Sequence, residues 1–271
     1  MTTVMEVPED QIATLRSSIV AEPGYIFLAL DAIQIELKVV AIQSGDPLML
    51  EASRSSDMHM ATAIQVFGQV DEIEFTAKFG EGSPEAINQW IRDTMKDRRY
   101  DAKQMNFAIL YGATAYKIAE MSDGKLTEDE AQELIDTYFE VYHVLYDWIE
   151  AKKREARENG YVETAFGRIR PIPGIKSSSW REREAAEREV VNTIVQGTAI
   201  DIVKQMMLHM RGVLDREIRL VLQVHDEMIW EVPHRLLKVA ILHSRNLISY
   251  FPKYPCHIAI GKNYGGLVEL A

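Results

Sequence analysis

Near the C-terminal end of the chain two apolar runs enclose an acidic tripeptide: Ile218 to Pro233 reads IRLVLQVHDEMIWEVP. Ile218, Leu220, Leu222 and Val224 alternate with Arg219, Val221 and Gln223, the period of a strand. Met228 to Val232 is a second short strand. Between them, His225-Asp226-Glu227 leaves room only for a tight turn. Strands this apolar do not suit an exposed hairpin, so both are expected in a buried sheet with the acidic turn on its rim. Tyr25 to Leu30 (YIFLAL) is another buried-strand candidate, and it too runs into a carboxylate, Asp31. A carboxylate at such a place is either a functional group or an ordinary strand terminus, and the residues alone leave both readings open.

A second feature is helical. In Asp97 to Gly112 (DRRYDAKQMNFAILYG), Arg99, Lys103, Phe107 and Tyr111 recur at every fourth position. On an α-helix they form one slowly drifting stripe, cationic in its first half and aromatic in its second. Such a stripe suits a ligand with a polyphosphate at one end and a base at the other, a nucleoside triphosphate for example. It is equally the pattern of a surface helix with solvated cations and buried rings. Arg188, Asn192 and Gln196 repeat the same spacing in a helical stretch over 177–211. They would line a groove that reads nucleic-acid edges, or form a solvated face.

The other segments read more plainly. Glu9 to Ile19 is a short helical candidate, and Ile33 to Asp46 (IQIELKVVAIQSGD) a strand turning into a helix. Residues 57–68 form an amphipathic helix closed by Gly68, with His59 near its start; a lone histidine there is most simply structural. Asp71 to Pro84 is expected as a polar loop, and Pro84 to Asp97 as a helix leading into the stripe. After a turn at Ser122–Gly124, one helix is expected from Thr127 to Lys153, opened by the Thr127–Glu130 capping box. Gly160 to Pro173 has hairpin character, and Arg235 to Ala271 reads as a helix followed by strands.

The 271 residues, 47% of them hydrophobic, allow a sizeable core in one or two domains. A formal charge of −11 argues against a nucleic-acid coat protein, though not against an enzyme with local basic patches. The single cysteine, Cys256, excludes a disulfide framework and a cysteine-built zinc site. With no apolar signal core or membrane-length stretch, a cytoplasmic setting is expected.

Four blocks together resemble the polymerase part of family A DNA polymerases, the bacterial polymerase I type. They are Asp31 to Lys38 (DAIQIELK), Arg99 to Gly112, Arg188 to Thr198 (REVVNTIVQGT) and Gln223 to Glu227 (QVHDE). Weaker echoes, GYVETAFGRIRPIP from Gly160 and GKNY from Gly261, fall in the family's order. The resemblance implies an α+β fold. An antiparallel palm sheet (about 1–56 and 160–271) would carry the catalytic carboxylates, and helical fingers (about 57–159) would be inserted in it.

The resemblance implies a DNA-templated DNA polymerase that extends a primer by phosphoryl transfer. Asp31 and Asp226 would hold two Mg2+ ions, with Mn2+ as a substitute and the Ala32 carbonyl as a further ligand. Glu227 would assist near the primer end. Arg99, Lys103 and His59 would bind the triphosphate, and Lys103 would protonate the leaving pyrophosphate. Phe107 would stack near the sugar and base, Tyr111 would guard the templating position, and Glu36 would exclude a 2′-hydroxyl. Gln34, Arg188, Asn192, Gln196 and His225 would contact nucleotide or primer–template near the insertion site, and Arg168 a backbone phosphate.

The sequence departs from the family pattern at Ala32-Ile33, which replaces Tyr-Ser, at Lys38 in place of Arg, and at Ala108 in place of Gly. No thumb or exonuclease counterpart is recognised. A separate polypeptide supplying them is therefore expected, with primer–template DNA and deoxyribonucleoside triphosphates as the other partners. A minimal self-sufficient polymerase of low processivity and a non-catalytic nucleotide- or DNA-binding remnant are the alternatives.

Overall fold

The computed structural model describes residues 15–55, 57–122 and 126–270. The helix expected over Glu9 to Ile19 lies outside the described residues as far as residue 14. So does the Asp123–Gly124 part of the expected turn. The chain forms two compact units, one of Met1–Ile35 with Ala199–Ala271 and the other of Glu36–Thr198. In chain order the strands are β1 (Tyr25–Ala32), β2 (Tyr161–Glu163), β3 (Ile169–Pro171), β4 (Arg219–Val224), β5 (Glu227–Pro233), β6 (Cys256–Gly261) and β7 (Val268–Glu269).

The Glu36–Thr198 unit is helical apart from the β2–β3 hairpin. It begins with α1 (Ile35–Ser44), α2 (Pro47–Ala52) and α3 (Met58–Phe67), followed by α4 (Glu72–Phe79) and α5 (Pro84–Leu110). Next come α6 (Ala115–Met121), α7 (Glu128–Val141), α8 (His143–Asn159) and the first half of α9 (Trp180–Val213). Side-chain caps start most of these helices where the orphan N–H groups need acceptors. Asp46 caps α2, Asp57 caps α3, Ser83 caps α5 ahead of Pro84, and Thr127 and Glu130 form the expected capping box. Hairpin β2–β3 covers α8 and α9 through Val162, Ile172, Ala156, Val190 and Ile194.

Two expectations for this unit fail. The segment after Asp71 is a helix, α4, not a loop. Its Phe75 and Phe79 pack edgewise on Trp90 of α5 at 5.5 and 5.9 Å, and Gly80 ends it at φ +82°. The helix expected from Thr127 to Lys153 breaks at Tyr142 (φ −107°, ψ 53°). There the buried Tyr142 hydroxyl donates to Gln65 at 2.6 Å and its ring packs on Tyr138 at 4.8 Å.

The other unit is built on a five-stranded antiparallel sheet of order β4-β5-β1-β6-β7, with α10 (Leu237–Tyr250) against β1, β5 and β6. Strand β1 lies at its centre. Phe27 and Ala29 pack with Ile229 and Tyr264 on one face. By strand alternation Leu28 and Leu30 point the other way, where they and Trp230 are fully buried. Burial of each such side chain stabilises the fold by about 2 kcal/mol. The expectation that both strands of the acidic hairpin are covered holds only for β5. Strand β4 is an edge strand, bulged between Leu220 and Leu222, with Leu220 and Val221 exposed.

Candidate active site

The strand register brings three carboxylates to one end of the sheet. Asp31 stands directly opposite Glu227 on one side and His257 on the other. Val224 pairs with Glu227, so His225 and Asp226 form a two-residue hairpin turn. His225 has φ +53°, the sign that the first central residue of such a turn needs to match the twist of the strands. The Ala32 N–H reaches back to the Asp226 carbonyl at 3.4 Å, joining the turn to β1. Gln34, just beyond, also holds a positive φ, +49°. Non-glycine residues rarely adopt this conformation, and where they do it is often at functional sites.

Like charges directly opposite each other destabilise a sheet. Packing around Asp31 and then the charges of Asp226 and Glu227 push its pKa up to about 6, against the lowering influence of His257. The His257 ring pairs with Glu269. Tyr264, from the GKNY segment, donates to Glu227 at 2.7 Å. Burial raises the Cys256 thiol to about 12, aided by Asp31 and Asp226, so it is an inert neighbour. Among the described residues no three or more His, Cys, Asp or Glu side chains form a metal cage. The donor set nevertheless fits magnesium, a hard cation that takes one or two carboxylates and fills its other positions with substrate phosphate and water. A cation would relieve the mutual repulsion of these carboxylates.

In the helical unit, Arg99, Lys103 and Phe107 lie on α5 as expected, while Tyr111 is the residue that caps its end. Arg99 is not a free cation: its Nε donates to Asp57 Oδ2 at 2.5 Å. Asp57 Oδ1 meanwhile accepts the His59 and Met60 N–H groups at the start of α3. Burial raises the Asp57 pKa, but the bonds from Arg99 and Met60 and the Arg99 charge outweigh it and hold the carboxyl below its usual range. Lys103 is exposed. His59 is 3% exposed, and burial takes its pKa down to about 4, so it offers an N–H rather than a charge. Its ring lies 5.6 Å from Phe107, which stacks on Tyr111 at 6.1 Å.

The Tyr111 hydroxyl donates to Glu36, and Gln196 also bonds to it. Burial and then Glu36 push that phenol up to about 12. Three expected site residues are thus brought together. Gly112 turns the chain away at φ +67°, and a Cβ there would lie 2.7 Å from Arg188 Cγ. Arg188 is paired with Glu184 at 3.2 Å. Asn192 has its Oδ1 buried with no hydrogen-bond partner among the described residues. Arg168 donates to the Gly197 carbonyl at 2.8 Å, which fastens the β2–β3 turn to α9. Lys38 is buried and donates to the Ser53 carbonyl, so in this chain it is a structural cation.

Residues 4–265 match the model of DNA polymerase family A. The chain belongs to that family. It is 35% identical to the thermostable DNA polymerase I of Thermus thermophilus over 91% of its length, and 36% identical to DNA polymerase I of Pseudomonas aeruginosa over 87%. It spans only 28% and 24% of those relatives' own lengths. The solved POL domain of Pol1 from M. smegmatis, in complex with DNA primer-template and dNTP, superposes with a TM-score of 0.78 at 27% identity. That match covers 96% of this chain and 43% of the solved one. The α+β class and the antiparallel sheet bearing the carboxylates agree with this family. Sequence reasoning passed over Asp57, Asn106, His257 and Tyr264. Asp57 carried a signal, an acidic residue at a helix start beside His59, and Tyr264 lay in a recognised echo.

Proposed function

We propose that this chain catalyses DNA-templated addition of deoxyribonucleotides to a primer 3′ end. The observation that carries the reading is the carboxylate group at the sheet end, Asp31 with Asp226 and Glu227, which no packing requirement explains. Asp31 and Asp226 would hold two divalent ions, magnesium or manganese, with the Ala32 carbonyl as a further ligand; when bound, these would lower the pKa of the primer hydroxyl and neutralise charge on the transferred phosphoryl group. Glu227, anchored by Tyr264, is assigned to orienting the primer end.

Most of the other roles fall to the helical unit, which contains the proposed fingers (about 57–159), while Gln34 and His225 belong to the sheet unit. Lys103 and Arg99 neutralise the triphosphate, and Lys103 donates a proton to the departing pyrophosphate. Binding requires Arg99 to exchange Asp57 for phosphate oxygens. Phe107 presents a ring to the sugar and base. Glu36, held by Tyr111, leaves no room for a 2′-hydroxyl. Arg188, Asn192, Gln196, His225, Gln34 and Arg168 serve the primer–template and the insertion site; the unpartnered Asn192 Oδ1 suits a donor from a base or sugar edge.

A thumb and an exonuclease would act with this chain, whether on the same or a separate polypeptide. Similarity to bacterial DNA polymerases supports action inside a bacterial or phage-infected cell. Among the described residues no helix is long and apolar enough to cross a membrane. Single-nucleotide insertion tests the assignment. The complementary deoxyribonucleotide should be inserted, and Glu36→Ala should raise ribonucleotide insertion by about tenfold or more, the scale of one lost steric contact. Nucleotide affinity without metal-dependent turnover would instead mark a non-catalytic binding protein.

A further inference from the structure

Asn106 lies on α5 between Met105 and Phe107 and is completely buried, an expensive place for an amide unless every polar atom is satisfied. It is satisfied by three side chains. Its Nδ2 lies 3.3 Å from His59 Nδ1 and 3.1 Å from Thr62 Oγ1, and its Oδ1 accepts from the Tyr138 hydroxyl at 2.9 Å. Tyr138 is itself fully buried, and its hydroxyl has no other hydrogen-bond partner among the described residues.

These contacts fix which way the amide points. With Oδ1 toward Tyr138, the phenolic proton has an acceptor, and both amide protons have one in His59 Nδ1 and Thr62 Oγ1. Turned over, the amide would set Nδ2 against Tyr138, and the phenolic proton would be left with no acceptor in a dry interior. Counting donors and acceptors therefore selects the first orientation. In that orientation Nδ1 of His59 accepts a hydrogen bond and carries no proton, so in the neutral ring the proton sits on Nε2.

We infer that Asn106 is a positioning residue that locks His59 as the Nε2–H tautomer, making its Nε2–H a neutral donor for a phosphate oxygen of the incoming nucleotide. The phosphate part of this inference rests on the polymerase reading; the tautomer does not. Nε2 has no hydrogen-bond partner among the described residues. The depressed pKa of His59 is consistent with a ring that binds an anion through a fixed N–H rather than through charge. The arrangement lets a buried histidine serve the same ligand as Arg99 and Lys103 without adding a third positive charge beside them.

The direct test is nitrogen NMR of the full chain labelled at histidine, with the His59 signals assigned by their loss in His59→Gln. The wild-type ring should show a protonated Nε2 and an unprotonated Nδ1. In Asn106→Asp, a carboxylate oxygen beside Nδ1 should draw a proton onto it. A wild-type ring protonated at Nδ1, or one averaging between tautomers, overturns the inference without recourse to any variant. The functional arm uses side-chain shape: a glutamine amide reproduces the position of an Nε2–H, and an asparagine amide that of an Nδ1–H. His59→Asn should raise KM for deoxyribonucleotides about tenfold over His59→Gln, as loss of one hydrogen bond to a charged group would. Equal KM values in the two variants overturn the phosphate-donor role. A wild type that binds no nucleotide overturns the polymerase reading instead, and the spectrum still decides the tautomer.

Discussion

Asp57 serves two neighbours, closing the first turn of α3 through Oδ1 and pairing with Arg99 through Oδ2. Its two jobs separate by substitution. Asparagine caps a helix about as well as aspartate, and the partly exposed ion pair is worth under about 1 kcal/mol, so Asp57→Asn should cost less than that in urea denaturation. Asp57→Ala removes the cap as well and should cost about 1 kcal/mol more. His59 supplies a pH signature. Its folded pKa of about 4 lies below the unfolded value of about 6.5, so above pH 6.5 both states are neutral and the group contributes no pH dependence. Between those values the unfolded chain takes up a proton that the folded one refuses. Stability therefore falls as pH drops, by about 3 kcal/mol once below pH 4. His59→Gln should flatten that part of the stability–pH curve; identical curves for the two proteins would contradict the burial argument.

At the level of elements, the sequence was most legible where the signal is local. The alternation in β1 and β5, the four-residue stripe of α5, the Thr127–Glu130 cap and the stop at Gly68 all depend on neighbours within a turn or two. What was not legible depends on distant partners. Helix α4 is held by Trp90, the break between α7 and α8 accompanies the reach of Tyr142 to Gln65, and the exposure of β4 follows from its place at the sheet edge. The candidate site divides the same way. Asp31, Asp226 and the stripe stood out, whereas the Asn106 network and the Asp57 pair join residues 32–47 positions apart and leave no periodicity. Two glycines mark where α9 and α5 come close to other groups. A Cβ on Gly197 would lie 2.7 Å from Thr164 Cγ2 and 3.0 Å from Arg168 Nη2, so Gly197→Ala should cost about 1–3 kcal/mol and loosen the β2–β3 turn. Gly112→Ala meets both a positive φ and the Arg188 stem, and should cost at least about 1 kcal/mol. Chemical denaturation of the two variants measures both.

For the whole molecule, a net charge of −11 stands against the anionic polymer it is proposed to use. Affinity must then come from a few local cations such as Arg168 and Arg188. With about four phosphate contacts, binding to primer–template should weaken about a hundredfold between 50 and 200 mM salt. A flat salt response in a fluorescence-anisotropy titration would show that another kind of contact dominates. The most direct test of the account is primer extension by the full chain with magnesium and deoxyribonucleotides at low salt, beside Asp226→Ala. The account predicts templated extension by the wild type and a loss on the order of a thousandfold in the variant, the several kcal/mol that metal-assisted charge stabilisation supplies. Equal extension by both proteins would contradict it. So would no extension by a folded wild type even with a thumb-bearing polypeptide added.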